Sequence, residues 1–170
     1  TYGRTMSNDA SGPGAPTAEF LAGKSHTMPE PSQVAAYAAP IADGTDGPVV
    51  MLNLNRYRER AAYADGRDAG GRAGREVYLD YAAVATQALA AVGARILWAT
   101  EMDAPLVGCD HDTYDEVLAI WYPNRAAFIE LTNYPGYQDA LVHREAALAW
   151  SALIPCVGSA EPVLENPFDV

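Results

Sequence analysis

The chain has 170 residues, of which 49% are hydrophobic and 19% are charged, and its formal net charge is −11. This length and composition are typical of one globular domain that buries a core, and they exclude a disordered or fibrous chain. Such an acidic chain shows no basic face for phosphate groups, so no nucleic acid and no anionic membrane surface is expected as a partner.

Targeting signals and a disulfide framework are not expected. The first residues lack the apolar stretch of a signal peptide, and no apolar run approaches the roughly 18 residues that span a bilayer. Cys109 and Cys156 are far apart and form no C-x-x-C motif, which predicts two ordinary thiols. We therefore expect a cytoplasmic protein.

The chain divides by composition into three parts. Residues 1–46 are rich in Gly, Pro, Ala and Ser, which predicts an extension that is partly helical or flexible. Two short helical patches are expected there, at Ala18–Ala22 and Ser32–Ala38, each too short to be stable without docking. Residues 47–158 are predicted to form the folded domain, and residues 159–170 a carboxy-terminal tail.

Pro48–Tyr57 is predicted to be the first strand, and its mostly apolar sequence indicates that most of its length is covered on both faces. Period-two alternation separates Val50, Leu52 and Leu54 from Met51, Asn53 and Asn55. Two amides on a buried strand face are unusual, because each needs hydrogen-bond partners.

Helical spacing predicts a first helix from about Arg75 to Val92, with Gly93 as its C-cap. Its predicted buried stripe consists of Tyr78, Tyr81, Ala82, Ala85, Leu89 and Val92.

Three more strands and one helix are predicted in the second half of the chain. The strands are Ala94–Thr100, Tyr114–Tyr122 and Ala152–Val157. The helix follows the N-cap residue Asn124 and runs to about Trp150, with an interruption at Asn133–Gly136. The resulting β-α-β-β-α-β order is that of an α+β, ferredoxin-like fold with an antiparallel sheet. Helices cover one face of such a sheet, so a second copy of the sheet is expected to cover the other in a homodimer.

Arg144 is the sharpest functional candidate. On the second helix, Tyr137, Leu141, Arg144 and Leu148 fall within about 60° of one another, while His143 points to nearly the opposite side. A buried guanidinium keeps its proton and must be paired. Two interpretations stay open: a structural salt bridge to Glu101 or Glu116, or an arginine that also faces a ligand.

An arginine, a carboxylate and tyrosines beneath one helix predict a pocket for an anion or an enolate. The catalytic candidates are Arg144, Glu101, Tyr81 and Tyr137. The candidates for substrate binding are Asn53, Asn55, Trp98, Trp121 and Tyr78. In the alternative interpretation, the tyrosines are core aromatic residues with their hydroxyls at the rim.

No metal and no cofactor are expected. Gly70–Arg75 precedes a helix but matches neither the dinucleotide-binding motif nor the P-loop. The acidic turn formed by Asp110, His111, Asp112 and Asp115 lacks the glycine and terminal glutamate of an EF-hand. No histidine or cysteine has zinc-site spacing, and no G-x-S-x-G motif is present.

Five segments resemble a bacterial family, the domain-of-unknown-function family numbered thirteen-thirty: Gly47–Arg58, Gly74–Tyr81, Tyr114–Val117, Tyr134–Gln138 and His143–Arg144. The resemblance covers about residues 47–157, with Asn53, Arg58, Tyr81, Tyr137 and Arg144 at the positions expected to recur. Asn55 and Tyr114 depart from it, since Leu and Trp are more usual there. The resemblance implies a ferredoxin-like protomer of the dimeric α/β-barrel superfamily.

The superfamily contains cofactor-independent monooxygenases, haem-degrading enzymes, and lyases or isomerases of small ring compounds. We therefore expect a cofactor-independent enzyme, of oxygenase, isomerase or lyase type, acting on a small organic molecule between helices and sheet. The alternative is a non-catalytic dimer that binds a small ligand, or an accessory protein of a biosynthetic or degradative pathway. Haem binding would need a histidine in the pocket, and His143 points away from it.

Overall fold

A computed structural model describes residues 27–108 and 113–164. Helix α1 (Pro31–Ala42) precedes strand β1 (Val49–Tyr57), helix α2 (Gly74–Ala91), and strands β2 (Arg95–Glu101) and β3 (Glu116–Tyr122). Helix α3 (Arg125–Glu130), a 3-10 turn (Leu131–Asn133), helix α4 (Tyr137–Ala147) and strand β4 (Leu148–Val157) follow. The predicted α+β class and β-α-β-β-α-β order are confirmed. Within these ranges, no helix is both long and apolar enough to cross a bilayer.

The four strands form one antiparallel sheet in the order β2-β3-β1-β4. Residues that face each other across such a sheet have their side chains on the same face. The register therefore assigns each side chain of the sheet to one of its two faces. Met51 shares a core cluster with Ala85 and Leu89 of α2, which defines the helix-covered face. Val50 and Trp121 belong to a separate cluster on the other face, which we call the open face.

Helix α2 packs on both the sheet and α4. It begins one residue before the predicted start and ends one before the predicted end, and Gly93 takes a φ of 74° just after it. Val77 and Ala88 are completely buried, although neither belongs to the predicted stripe. Val77 packs against Ala146 and Ala147 of α4, so a second buried side widens the apolar face of the helix.

The junction of α4 with β4 differs from the prediction. The second helix was expected to continue to about Trp150, but it ends at Ala147 and β4 begins at Leu148 without a loop. Leu148 pairs with Tyr57, and a register shift between Arg56 and Tyr57 accommodates the turn. The sequence Ala-Ala-Leu-Ala-Trp suits a buried helix or a buried strand equally well, and strand pairing decides between them.

Helix α1 lies on the outside of the domain. It is longer than the predicted patch Ser32–Ala38, and none of its residues is fully buried. The ring of Tyr37 packs edge-on against Phe128 of α3, with 5.3 Å between the ring centroids. The other predicted patch, Ala18–Ala22, lies outside the described residues.

Gly74 is required where three chain segments meet at the start of α2. A Cβ atom at this position would collide with the carbonyl oxygens of Ala147 and Arg58 and with the Arg58 amide nitrogen. The close approach lets the Gly74 amide donate to the Arg58 carbonyl at 2.9 Å and the Arg58 amide to the Ala147 carbonyl at 2.8 Å. The end of β1 is thereby fixed to the end of α4.

We expect Gly74→Ala to lower the free energy of unfolding by about 2–3 kcal/mol, because backbone atoms must move to admit the methyl group. Urea unfolding followed by circular dichroism measures this change. Gly47→Ala is the matched control, since a Cβ there meets nothing within 4 Å. Equal stability of the two variants would contradict the packing role of Gly74.

Candidate functional site

Arg144 lies in the last turn of α4 and is 6% exposed. Its Nη1 donates to the Thr27 carbonyl oxygen and its Nη2 to Ser151 Oγ at 3.2 Å. Within residues 27–108 and 113–164, no carboxylate comes within ion-pair distance of it. The salt bridge to Glu116 that the sequence suggested is absent there, because Glu116 pairs with Arg75 at 3.1 Å. Arg144 is thus a buried cation whose described partners are neutral.

Four tyrosines form a row beneath the helices, beside Arg144. The ring centroids are 5.3 Å apart for Tyr57 and Tyr78, 5.3 Å for Tyr78 and Tyr81, and 5.9 Å for Tyr81 and Tyr137. The hydroxyls of Tyr81 and Tyr137 share a hydrogen bond of 2.9 Å. Asn55 is 1% exposed, and its Nδ2 donates to the Tyr78 hydroxyl at 3.3 Å. A polar band therefore crosses an otherwise apolar interface.

Burial keeps these tyrosines protonated. It raises the pKa of Tyr78 to about 12 and also raises the pKa values of Tyr81 and Tyr137. The Arg144 guanidinium acts in the opposite direction on all three pKa values, but burial dominates. At neutral pH the hydroxyls can donate hydrogen bonds or protons, and they are poor bases.

A cleft of about 740 Å³ lies between α1, α3 and the helix-covered face of β1 and β4. Its size is within the usual range of small-molecule sites. Most of its wall is apolar, from Val34, Tyr37, Met51, Phe128 and Leu153 among others. Thr27 and Ser151, the two hydrogen-bond partners of Arg144, also line it. The guanidinium therefore lies immediately behind the cleft wall.

The structure brings most of the predicted site residues together. Arg144, Asn55, Tyr78, Tyr81 and Tyr137 all lie in the interface between the helices and the sheet. Asn53 shares the sheet face of Asn55, and its Nδ2 donates to the Met51 carbonyl at 3.0 Å. His143 points away, as predicted, with its Nδ1 2.7 Å from the Tyr63 hydroxyl.

Three predicted residues lie elsewhere. Glu101 is exposed on β2, the edge strand farthest from β4, and faces Glu116 across the β2–β3 pairing. Trp98 and Trp121 both lie on the open face, since they occupy the same phase of the pairing as Ala119. The Trp121 indole donates to the Ser159 carbonyl at 2.9 Å. Neither tryptophan shares a face with Arg144.

Sequence reasoning missed Ser151, Thr27 and Tyr37, which line the cleft. Ser151 was missed because it was left between the predicted helix, which ends at about Trp150, and the predicted strand, which begins at Ala152, whereas it lies on β4 opposite Asn55. No pattern connects Thr27 with Arg144, since 117 residues separate them. For Tyr37 the one available signal was its position in Ser32–Ala38, a helical patch predicted to be stable only when docked on the domain.

Two weaker candidate sites, the glycine-rich stretch Gly70–Arg75 and the acidic turn after β2, gain no support from the structure. The Ala73 amide donates to Glu76 Oε2 at 2.8 Å and the Gly74 amide to the Arg58 carbonyl, so these donors at the start of α2 are occupied. Asp110, His111 and Asp112 lie outside the described residues. Among the residues that are described, no group of three or more His, Cys, Asp or Glu is placed to hold a metal ion.

Comparison with known proteins identifies relatives without an assigned activity. The model of the family described as a domain of unknown function (DUF1330) matches residues 73–155, which include Tyr78, Tyr81, Tyr137 and Arg144. A crystal structure of methylated RPA0582 protein is 32% identical, with a TM-score of 0.69 over 85% of this chain and 98% of that one. A second, described as RPA0582, a protein of unknown function from Rhodopseudomonas palustris, is 32% identical, with a TM-score of 0.66 over 78% and 96%. No curated protein matches the chain.

The raised tyrosine pKa values predict a loss of stability in alkali. The pKa of an unfolded tyrosine is about 10, whereas burial raises the pKa of Tyr78 to about 12 in the folded state. Between these values the unfolded state binds fewer protons, so the free energy of unfolding falls by up to about 1.4 kcal/mol per pH unit for each such tyrosine. Thermal unfolding above pH 10 measures this slope, and we expect Tyr78→Phe to reduce it. An unchanged slope in a folded Tyr78→Phe would contradict the assignment.

Proposed function

Because the chain belongs to the DUF1330 family, whose description assigns no function, we propose one from the geometry of the site. The protein is a cofactor-independent enzyme that acts on a small organic molecule bearing a carboxylate or an enolisable carbonyl. The molecule binds in the cleft between α1 and the sheet. The observation that carries this proposal is the burial of Arg144 behind the cleft wall without a described carboxylate partner.

Electrostatics favours an anion at this end of the cleft. Removing a guanidinium from water is costly, and neutral acceptors such as the Thr27 carbonyl and Ser151 hydroxyl compensate only part of that cost. In a mainly apolar cleft the field of the cation is weakly screened, so a carboxylate or enolate is stabilised there. The mainly apolar lining accommodates the rest of the molecule.

The Tyr81–Tyr137 pair is the proposed proton donor; neither residue is among the described residues that line the cleft, so the proton transfer requires the substrate to enter past Ser151. The hydroxyls of the pair are hydrogen-bonded to each other and stay protonated at neutral pH, as a general acid requires.

Forming an enolate removes a proton from the substrate carbon, and Glu30, the one carboxylate among the described residues that line the cleft, is the proposed acceptor. Arg144 stabilises the enolate, and the tyrosine pair returns a proton to it. Glu101 receives no role, because it is exposed on the far edge strand. Asn53 receives none either, since its amide already donates to Met51.

A second candidate function is non-catalytic binding of the same kind of ligand. It is favoured by the scarcity of bases: among the described residues that line the cleft, Glu30 is the one carboxylate, and no histidine or lysine lines it. Such a protein is stabilised by its ligand but leaves it unchanged. Incubation followed by mass spectrometry separates this function from the enzymatic one.

Arg144→Met tests the anion site. We expect small carboxylates such as hexanoate and phenylacetate, but not their amides, to raise the melting temperature of the native protein. The variant should bind these carboxylates about 10- to 100-fold more weakly, because a cation about 6–10 Å from the bound carboxylate contributes about 1.5–3 kcal/mol at an effective dielectric constant of about 20. Binding is measured by calorimetry and conversion by mass spectrometry.

Arg60→Met is the matched control, since Arg60 is exposed and, among the described residues, donates a hydrogen bond to the Gly71 carbonyl alone. It should bind as the native protein does. Native-like carboxylate binding by a folded Arg144→Met protein would contradict the proposal.

We also propose that the protein is a homodimer joined through the open face of its sheet. Val50, Ala119 and Trp121 form an apolar cluster there, with Leu52 packed against it. Ile154, on the same face opposite Leu52, is 46% exposed. Trp98, also on this face, is 36% exposed. The described helices lie on the other face, and a second copy of the sheet would remove the exposed parts of Trp98 and Ile154 from water.

Ile154→Arg should weaken such a dimer at least about 100-fold, because an unpaired charge buried in an interface costs about 3 kcal/mol or more. Light scattering during gel filtration over a range of concentrations measures the dissociation. Leu79→Arg is the matched control, since Leu79 is 56% exposed on the outer side of α2. A monomeric native protein, or an Ile154→Arg protein that still dimerises, would contradict the proposal.

A further inference from the structure

The hydroxyl of Tyr37 is buried and makes no hydrogen bond with any described residue. Tyr37 lies on α1, and it lines the cleft together with Arg125 and Phe128. Its ring packs edge-on against Phe128 at 5.3 Å, and the Arg125 guanidinium lies 5.8 Å from the ring centroid. The ring packing would be equally possible for phenylalanine, so it does not explain the hydroxyl.

A buried donor without a partner costs about 1–3 kcal/mol. The hydroxyl oxygen has almost no accessible surface, so an acceptor in the cleft reaches it only if α1, none of whose residues is fully buried, shifts as the ligand binds. That contact removes the cost. Burial raises the pKa of Tyr37 to about 12, so at neutral pH the hydroxyl still carries the proton that it would donate. The missing partner is therefore a hydrogen-bond acceptor.

The charges around Tyr37 are already balanced. Arg125 pairs with Asp46 at 3.8 Å, and Asp46 also accepts hydrogen bonds from the backbone amides of Gly47, Arg125 and Ala126. This end of the cleft thus has no excess positive charge. A neutral oxygen, such as that of a carbonyl, hydroxyl or ether, suits it better than a second carboxylate.

Tyr37 and Arg144 mark opposite ends of the cleft. Ser151, the partner of Arg144, lies opposite Asn55 near the end of β1, whereas Asp46, the partner of Arg125, precedes the start of β1. The cleft follows β4 from Ser151 to Pro155, which is about 14 Å at about 3.4 Å per residue.

We propose that the cleft selects an elongated molecule with two different polar ends. A carboxylate or enolate lies towards Arg144, an apolar body crosses Met51 and Leu153, and a neutral oxygen acceptor receives the Tyr37 hydroxyl. This inference rests on the proposed function, because it assumes that Arg144 selects the anion.

Matched probes test it directly. Straight-chain monocarboxylates of about six to about ten carbons are compared with their ω-hydroxy acids by calorimetry. At the chain length that spans the cleft, the native protein should bind the ω-hydroxy acid about 5- to 50-fold more tightly, the effect of satisfying one buried donor. In Tyr37→Phe this preference should vanish, while the simple carboxylates bind as they do to the native protein.

The ligand-free proteins give a second readout. Tyr37→Phe loses no described hydrogen bond, so it should melt at the same temperature as the native protein or higher. A lower melting temperature would show that the hydroxyl has a partner within the protein and would overturn the inference.

The two proposals fail in different ways. If carboxylates bind through Arg144 but no chain length shows a preference for the hydroxy acid, the second polar end is overturned and the anion site stands. If no carboxylate binds the native protein, the proposed function is overturned together with this inference.

Discussion

The burial of one guanidinium joins three parts of the chain. Arg144 projects from α4, contacts Ser151 on β4 and reaches the Thr27 carbonyl just before α1. Ser151 lies close enough because α4 passes into β4 without a loop, and Gly74 permits the close backbone approach at that junction. The floor of the cleft and one end of its covering helix therefore depend on the same buried charge.

The polar band beside Arg144 also depends on the register of the sheet. Glu116, Asn55 and Ser151 form one row across β3, β1 and β4, with their side chains on the helix-covered face. Each finds a different partner: Glu116 is held by Arg75, Asn55 by Tyr78 and Ser151 by Arg144. A carboxylate at the position of Asn55, one strand closer to Ser151 than Glu116 is, would have neutralised the Arg144 guanidinium. Because the partners are distributed in this way, the charge of Arg144 lies next to the cleft without a described carboxylate beside it.

The periodicity of the sequence was sufficient for much of the fold. The apolar run in Val49–Tyr57 and helical spacing in α2 reproduce both elements to within a residue, because the strand is covered on both faces over its first residues and the helix buries a regular stripe. The same reasoning placed Arg144 within the apolar stripe and His143 outside it. It failed where two structures suit one local sequence, as at Leu148, and where a site joins distant segments, as Thr27 and Arg144 do.

Two kinds of information are thus separable in this protein. The sequence by itself determined the α+β class, the order of the elements and the burial of an arginine among tyrosines, since these follow from local hydrophobic patterns. Only the tertiary structure decided that Glu101, Trp98 and Trp121 lie away from Arg144, that Ser151 is its partner and that Tyr37 lines the same cleft. The reason is physical: strand order and register set the distances between residues far apart in the chain, and no local pattern records them.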